Sequence, residues 1–128
     1  MTGIYHLLIQ LLQPQEIIVG KLGCFRFPAG YYVYTGSALN GLEARVARHR
    51  RKEKLRGTKQ SHWHIDYLLQ HARIIDVIFH ITTARLECEY NRRIMNLPGA
   101  QIIVPRFGAS DCKCKAHLVY FSNMPILG

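Results

Sequence analysis

Residues 3 to 12 form an apolar run that ends at Gln13-Pro14-Gln15, and Pro14 cannot sit in a central strand. Residues 16 to 19 form a second run, and the economical expectation is a hairpin between the two. After the Gly20 to Gly23 stretch, Phe25 and Phe27 alternate with Arg26, Pro28-Ala29-Gly30 marks a turn, and Tyr31 to Thr35 reads as a further strand. The spacing of Leu42, Val46 and His49 then predicts a helix from near Gly41 to about Leu55, ended by Gly57-Thr58. Ser61 begins a short helical stretch whose buried stripe is Ile65, Leu68 and Leu69. Residues 73 to 81 alternate as a strand with Ile75, Val77, Phe79 and Ile81 on one face. Thr83 is the expected cap of a third helix, in which Leu86, Tyr90 and Ile94 follow helical spacing and Pro98-Gly99 is the stop. Two short strands, 101 to 104 and 117 to 121, are predicted around the Gly108 to Lys115 loop. With no repeat, linker or low-complexity tract, this pattern describes one α+β domain over residues 1–128, a central, largely antiparallel sheet flanked by helices.

Composition adds a partner class to that outline. A chain of 128 residues removes roughly two-thirds of its unfolded surface from water, so it needs no disulfide staple. Seventeen Lys and Arg against eight Asp and Glu give a formal net charge of +9, and the pI is about 9.7, which favours a polyanionic partner. Eight of the seventeen basic residues fall between 45 and 59: Arg45, Arg48, Arg50, Arg51, Lys52, Lys54, Arg56 and Lys59. That density suits the tracking of phosphates, and Arg48, Arg50, Arg51 and Lys52 are the candidate nucleic-acid contacts. No stretch approaches the roughly 18 apolar residues of a membrane span, and the N-terminus lacks a signal-peptide pattern, so the expectation is a cytoplasmic protein without a membrane partner. Cys24, Cys88, Cys112 and Cys114 are too few and too unevenly placed for a secreted disulfide framework, and are read as reduced thiols.

The chemistry lies in two tripeptides and in the helices beyond them. Gly3-Ile4-Tyr5 opens the first strand, and Tyr34-Thr35-Gly36-Ser37 closes a later one before a helix bearing Arg45-x-x-x-His49, with Glu87 at the head of the third helix. A tyrosine in a strand is by itself only a good β-former, but the ordered set resembles the GIY-YIG nuclease superfamily. Gly30-Tyr31-Tyr32-Val33-Tyr34, His62-Trp63-His64-Ile65-Asp66-Tyr67 and Phe107-Gly108-x-x-Asp111-Cys112-x-Cys114-x-x-His117-Leu118 are similar to its small Uri-type branch, whose members often stand alone and are sometimes fused to a DNA glycosylase. The resemblance spans nearly the whole chain.

It implies a divalent-metal-dependent endonuclease that hydrolyses phosphodiesters in structured or single-stranded nucleic acid, with DNA ahead of RNA, Mg²⁺ or Mn²⁺ as cofactor, and a repair protein as a candidate partner. It also implies the site: Tyr5, Tyr34, Arg45, His49 and Glu87, with Tyr5 the base or water-positioning group, Tyr34 assisting, and Glu87 holding the metal. The residue types suit these tasks. Arg45 has a permanently charged planar fork that matches phosphate oxygens. His49 lies one turn further along the same helix, so both side chains can converge on one pocket for proton transfer or phosphate contact. Glu87 and Glu89 lie roughly 200° apart on a helical wheel and cannot face one ion; a single carboxylate suits Mg²⁺, which keeps several waters. The rival function is a non-catalytic nucleic-acid-binding module that targets a repair partner.

Two further clusters carry ligand-type residues. On a helix, His62, His64 and Asp66 diverge, so that segment is expected to brace the site or touch the nucleic-acid backbone, with Trp63 packed or stacking. Cys112, Cys114 and His117 are soft ligands that can hold a structural zinc if Cys88, Cys24 or another histidine completes a tetrahedron; otherwise the loop is a turn in which Asp111 caps backbone amides. The distance along the chain between Tyr5 and Tyr34 exceeds the superfamily's common spacing, so a strand or hairpin must be inserted there. For the asparagine that often comes after the metal glutamate, Asn91, Asn96 and Asn123 give no clear match, and Ser110 or Asp111 could substitute.

Overall fold

A computed structural model describes residues 2–38, 42–54, 63–109 and 112–127, with the side chains of residues 42, 43 and 51–54 outside the description. In chain order the elements are β1 (Gly3–Leu11), β2 (Gln15–Ile18), β3 (Cys24–Phe27), β4 (Gly30–Ala38), α1 (Leu42–Lys54), α2 (His64–Leu69), β5 (Arg73–Ile81), α3 (Glu87–Met95) and β6 (Leu118–Phe121). The protein is α+β, and its central four-stranded sheet runs β5-β1-β4-β6 with every described pairing antiparallel.

The unbroken apolar character of β1 explains its place. Ile4, Tyr5, Leu7, Leu8, Ile9 and Leu11 are all buried, on both faces, so β1 is a central strand with each edge paired. One face carries Tyr5, Leu7, Ile9 and Leu11 and packs with Val46 of α1 and Ile65, Leu68 and Leu69 of α2. The other carries Leu8, which joins Val33, Val119 and Phe121 against Ile94 of α3. Each such side chain, fully buried, contributes on the order of 1.5–3 kcal/mol.

The expected hairpin between residues 3–12 and 16–19 does not form. Both edges of β1 are occupied by β4 and β5, and β2 pairs instead with β3 as a separate two-stranded sheet. Gly20 and Gly23, at φ 49° and 112°, make the turn between them possible, because such positive φ values strain any residue with a Cβ. This small sheet lies between Tyr5 and Tyr34 in the chain, and its Ile17 and Phe27 add to the core on the Tyr5 face.

Three other expectations change. The stripe over Ile75, Val77, Phe79 and Ile81 is broken: a bulge against Leu8 and Ile9 puts Ile74 opposite Ile9, so Ile74 and Val77 face the Tyr5 side while Ile75 packs on the α3 side. Phe79 and Ile81 are exposed on this edge strand, and the Asp76 carboxylate accepts the Val77 N–H at 2.8 Å. Thr83 does not cap α3; Leu86 occupies the cap position without a side-chain bond, and the Thr82 hydroxyl accepts the Ala84 N–H instead. Residues 101 to 104 form no strand, only a bridge from Gln101 to Tyr120 on the edge of β6 away from β4. No described helix is long and apolar enough to cross a membrane.

Register creates one tight contact at the end of the sheet where the helices begin. Gly36 sits directly across from Tyr5, and an added Cβ there would lie 2.4 Å from the Tyr5 ring carbon and hydroxyl. Gly36→Ala must displace the buried Tyr5 ring, and we expect a loss of about 1–3 kcal/mol in urea unfolding; a change below about 0.5 kcal/mol, the range of a neutral surface substitution, would contradict this packing.

Candidate active site

A cleft of about 400 Å³ opens at that end of the sheet, lined by Tyr5, Tyr34, Gly36, Ser37, Arg45, Trp63, His64, Glu87, Gly108 and Cys112. The backbone explains the gathering. Leu7 lies opposite Tyr34 and Tyr5 opposite Gly36, so Tyr5 and Tyr34 are diagonal neighbours on one face, with ring centroids 6.3 Å apart. From the start of α1, Arg45 reaches back to the Ser37 carbonyl, to which it donates at 3.1 Å. Glu87, the first residue of α3, brings a half-exposed carboxylate to the same cleft. Glu89 points elsewhere and pairs with Arg93 at 3.6 Å on the helix surface.

His49 is placed differently from Arg45. It is fully buried behind Tyr5 and does not line the cleft, so direct phosphate contact is closed to it. Its Nε2 lies 2.7 Å from the Tyr5 hydroxyl. Burial, reinforced by the positive Arg48 and Arg45, lowers its pKa to about 4 against an opposing pull from Asp66, so the ring is neutral at pH 7. Either the phenol donates to Nε2 or the Nε2–H donates to the phenol oxygen, according to the tautomer. The other ring nitrogen, Nδ1, is buried with no partner among the described residues.

Both tyrosines are held above the ordinary phenol range, first by burial. Tyr34 and Glu87 add to the effect at Tyr5, and Glu87 and Asp66 at Tyr34, while Arg45 opposes it at both. The phenols are therefore proton donors in the resting site.

Trp63 links the two arginines of α1. Arg45 lies 4.7 Å and Arg48 4.0 Å from its ring centre, within cation–π range. Arg48 also clamps the buried Asp66 with both terminal nitrogens, at 3.1 and 3.0 Å, and Asp66 accepts the Trp63 N–H. Arg48, expected as a nucleic-acid contact, thus also acts as a brace, since both terminal nitrogens engage a buried carboxylate. Arg50 is exposed, whereas the side chains of Arg51, Lys52 and Lys54, and residues Arg56 and Lys59, lie outside the described residues. His64 braces the far wall, its Nδ1 accepting the Gly108 N–H at 2.8 Å. His62, Ser110 and Asp111 lie outside the description. Asn91 is wholly buried, donates to the Ala116 carbonyl at 2.6 Å, and ties α3 to the segment leading into β6.

Beside Glu87 lies a second group. Cys88, Cys112, Cys114 and His117 place their ligand atoms all within 4.8 Å of one another. Burial raises the Cys88 and Cys114 thiols above their ordinary range; the Cys112 sulfur adds to the effect at both, while the Cys114 sulfur opposes it at Cys88. Cys24 is exposed on β3 and is not part of this group. The loop is shaped by a residue that the sequence pattern did not single out: Arg106, at φ 68°, donates to the carbonyls of Ala109, Cys112 and Cys114. Only a left-handed backbone at a non-glycine position would have announced it, and that is not visible in residue types.

Two buried histidines fix a pH response. His6, held neutral by burial and by His80, is also lowered to about 4. Between the unfolded value near 6.5 and the folded value, the unfolded chain binds protons that the folded chain refuses, so stability is fully present above pH 6.5 and falls as the pH drops toward 4. Each ring can contribute on the order of 2–3 kcal/mol to that fall. Urea midpoints from pH 7.5 to 4.5 should decline, with a shallower decline for His6→Gln; a flat profile would mean that these rings are solvated.

A family model described as a domain of unknown function, DUF123, matches residues 4–127. No curated protein and no solved structure matches the chain significantly.

Proposed function

The chain belongs to the DUF123 family, whose description assigns no activity, and from its site we propose that it is a divalent-metal-dependent endonuclease of the GIY-YIG type, acting on nucleic acid with DNA ahead of RNA. The observation that carries this reading is the convergence of two phenols, one arginine and one carboxylate on a single cleft, from the residues that match the superfamily signature. The neighbouring strands that carry the two tripeptides, and the excess of positive charge, support it.

The donor set suits a hard cation. Among the described residues Glu87 is the one carboxylate lining the cleft, and a single oxygen ligand leaves Mg²⁺ or Mn²⁺ with its waters and with positions for phosphate. Such an ion, held by Glu87, would neutralise phosphate charge and acidify a bound water. Arg45, fixed by the Ser37 carbonyl and the Trp63 face, presents its fork to the negative charge that gathers on the phosphate during attack. Tyr5 positions the attacking water. His49 Nε2, 2.7 Å from the Tyr5 hydroxyl and held neutral by burial, fixes the orientation of the phenol for that task. Tyr34 assists from the adjoining position by hydrogen bonding, and the tight approach of Gly36 keeps the Tyr5 ring in place.

The decisive experiment is cleavage of labelled single-stranded, duplex, flap and branched DNA and RNA with Mg²⁺ or Mn²⁺. We expect Glu87→Ala and Arg45→Ala each to lower kcat by about 10²-fold or more, with binding largely retained in Glu87→Ala. Salt-sensitive binding without metal-dependent cleavage anywhere in the panel would replace this reading with a non-catalytic module that targets a repair partner.

A further inference from the structure

Cys88 leaves α3 one residue after Glu87, Cys112 and Cys114 come from the loop held by Arg106, and His117 begins the segment that enters β6. The three chain segments meet with ligand atoms within 4.8 Å of one another. The His117 Nε2 lies 3.2 Å from the Cys112 sulfur and 3.8 Å from the Cys88 sulfur. For zinc bonded to sulfur at about 2.3 Å and nitrogen at about 2.0–2.1 Å in a tetrahedron, the ligand edges are about 3.6 Å for S···N and about 3.8 Å for S···S. The observed separations bracket the first, and the 4.8 Å limit on the whole group lies about 1 Å above the second, so a small inward turn of the thiols closes the tetrahedron. The imidazole is also oriented for the task. Its Nδ1 faces the Thr35 carbonyl at 3.3 Å, which favours the tautomer with the proton on Nδ1 and the Nε2 lone pair turned to the sulfurs.

We propose that Cys88, Cys112, Cys114 and His117 form a four-coordinate structural zinc site that pins the start of α3, and with it Glu87, to the Cys112–Cys114 loop and the segment that enters β6. Four protein donors leave no open position, and three thiolates select a soft or borderline ion over Mg²⁺. The ion joins segments that the sheet does not itself connect. Its location beside the cleft is direct: Cys112 is among the cleft residues, and the Glu87 carboxylate lies 3.6 Å from His117 Nδ1. Zinc here is a positioning element distinct from the ion held by Glu87.

The test is metal analysis of protein purified under reducing conditions, followed by cobalt(II) titration of the metal-stripped chain. One zinc per chain is expected, with cobalt giving the visible bands of a tetrahedral centre and near-ultraviolet thiolate charge transfer. Cys112→Ser should remove about one-third of that charge-transfer intensity, one thiolate of three, and weaken zinc by more than about ten-fold. Cys88→Ser, on a different segment, should do the same if the first variant misfolds. Cys24→Ser should leave stoichiometry and spectrum unchanged. Glu87→Ala should keep zinc while losing cleavage, so failure of the nuclease reading and failure of the zinc site separate cleanly. A reduced, folded protein with no zinc and no thiolate–cobalt absorption, or a spectrum indifferent to both cysteine variants, would overturn the proposal.

Discussion

The register between β1 and β4 is the constraint that creates the cleft. Gly36 opposite Tyr5 lets the ring lie flat against the neighbouring backbone, and Leu7 opposite Tyr34 puts both phenols on one face. Strand side chains alternate, so a slip of one residue would turn Tyr5 to the α3 side and bring His6 into its place. Burial resists that slip from both faces, since β1 has apolar residues packed above and below. The same pairing fixes the distance from Tyr5 to α1, where His49 waits behind the phenol.

The second layer of order is electrostatic. A carboxylate as deeply buried as Asp66 is tolerable only with its oxygens engaged, and Arg48 and the Trp63 amide do so. That arrangement ties Asp66 and Arg48 to each other and makes Trp63 a fixed platform between Arg48 and Arg45. Among the described residues the opening then faces a simple set: one carboxylate and one guanidinium over two neutral phenols. A neutral, desolvated His49 completes it without adding charge.

Much of this was legible in residue order. The α+β pattern and the helix carrying Arg45 and His49 rest on periodicities of 2 and 3.6, which local sequence records directly, whereas the choice of Glu87 over Glu89 also needed the resemblance. Partners of strands are not recorded in that way. Residues 16–19 read as the second arm of a hairpin because they come next, yet long-range pairing gave β1 to β4 and β5. The bulge that separates Ile74 from Ile75 is likewise a property of two strands together. Arg48 was indistinguishable from its basic neighbours until Asp66, distant in sequence, was seen to hold it. Cys88 could be named as one of several candidates to complete the cysteine and histidine group, but only the approach of α3 to the loop distinguishes it from Cys24.

The edge strand β5 has a consequence beyond the site. An outer strand with exposed Phe79 and Ile81 offers apolar surface and, among the described residues, an edge with no strand beside it, the combination onto which another chain's strand can add. Asp76 interrupts that template by taking up the Val77 N–H, and the bulge beside it bends the ladder where a straight partner would need continuity. A negative charge stands at the same point, so an incoming strand would have to displace a hydrogen bond and bury a carboxylate together. The sheet is thus guarded against growth from one molecule into the next, by a residue remote from any chemistry the cleft performs.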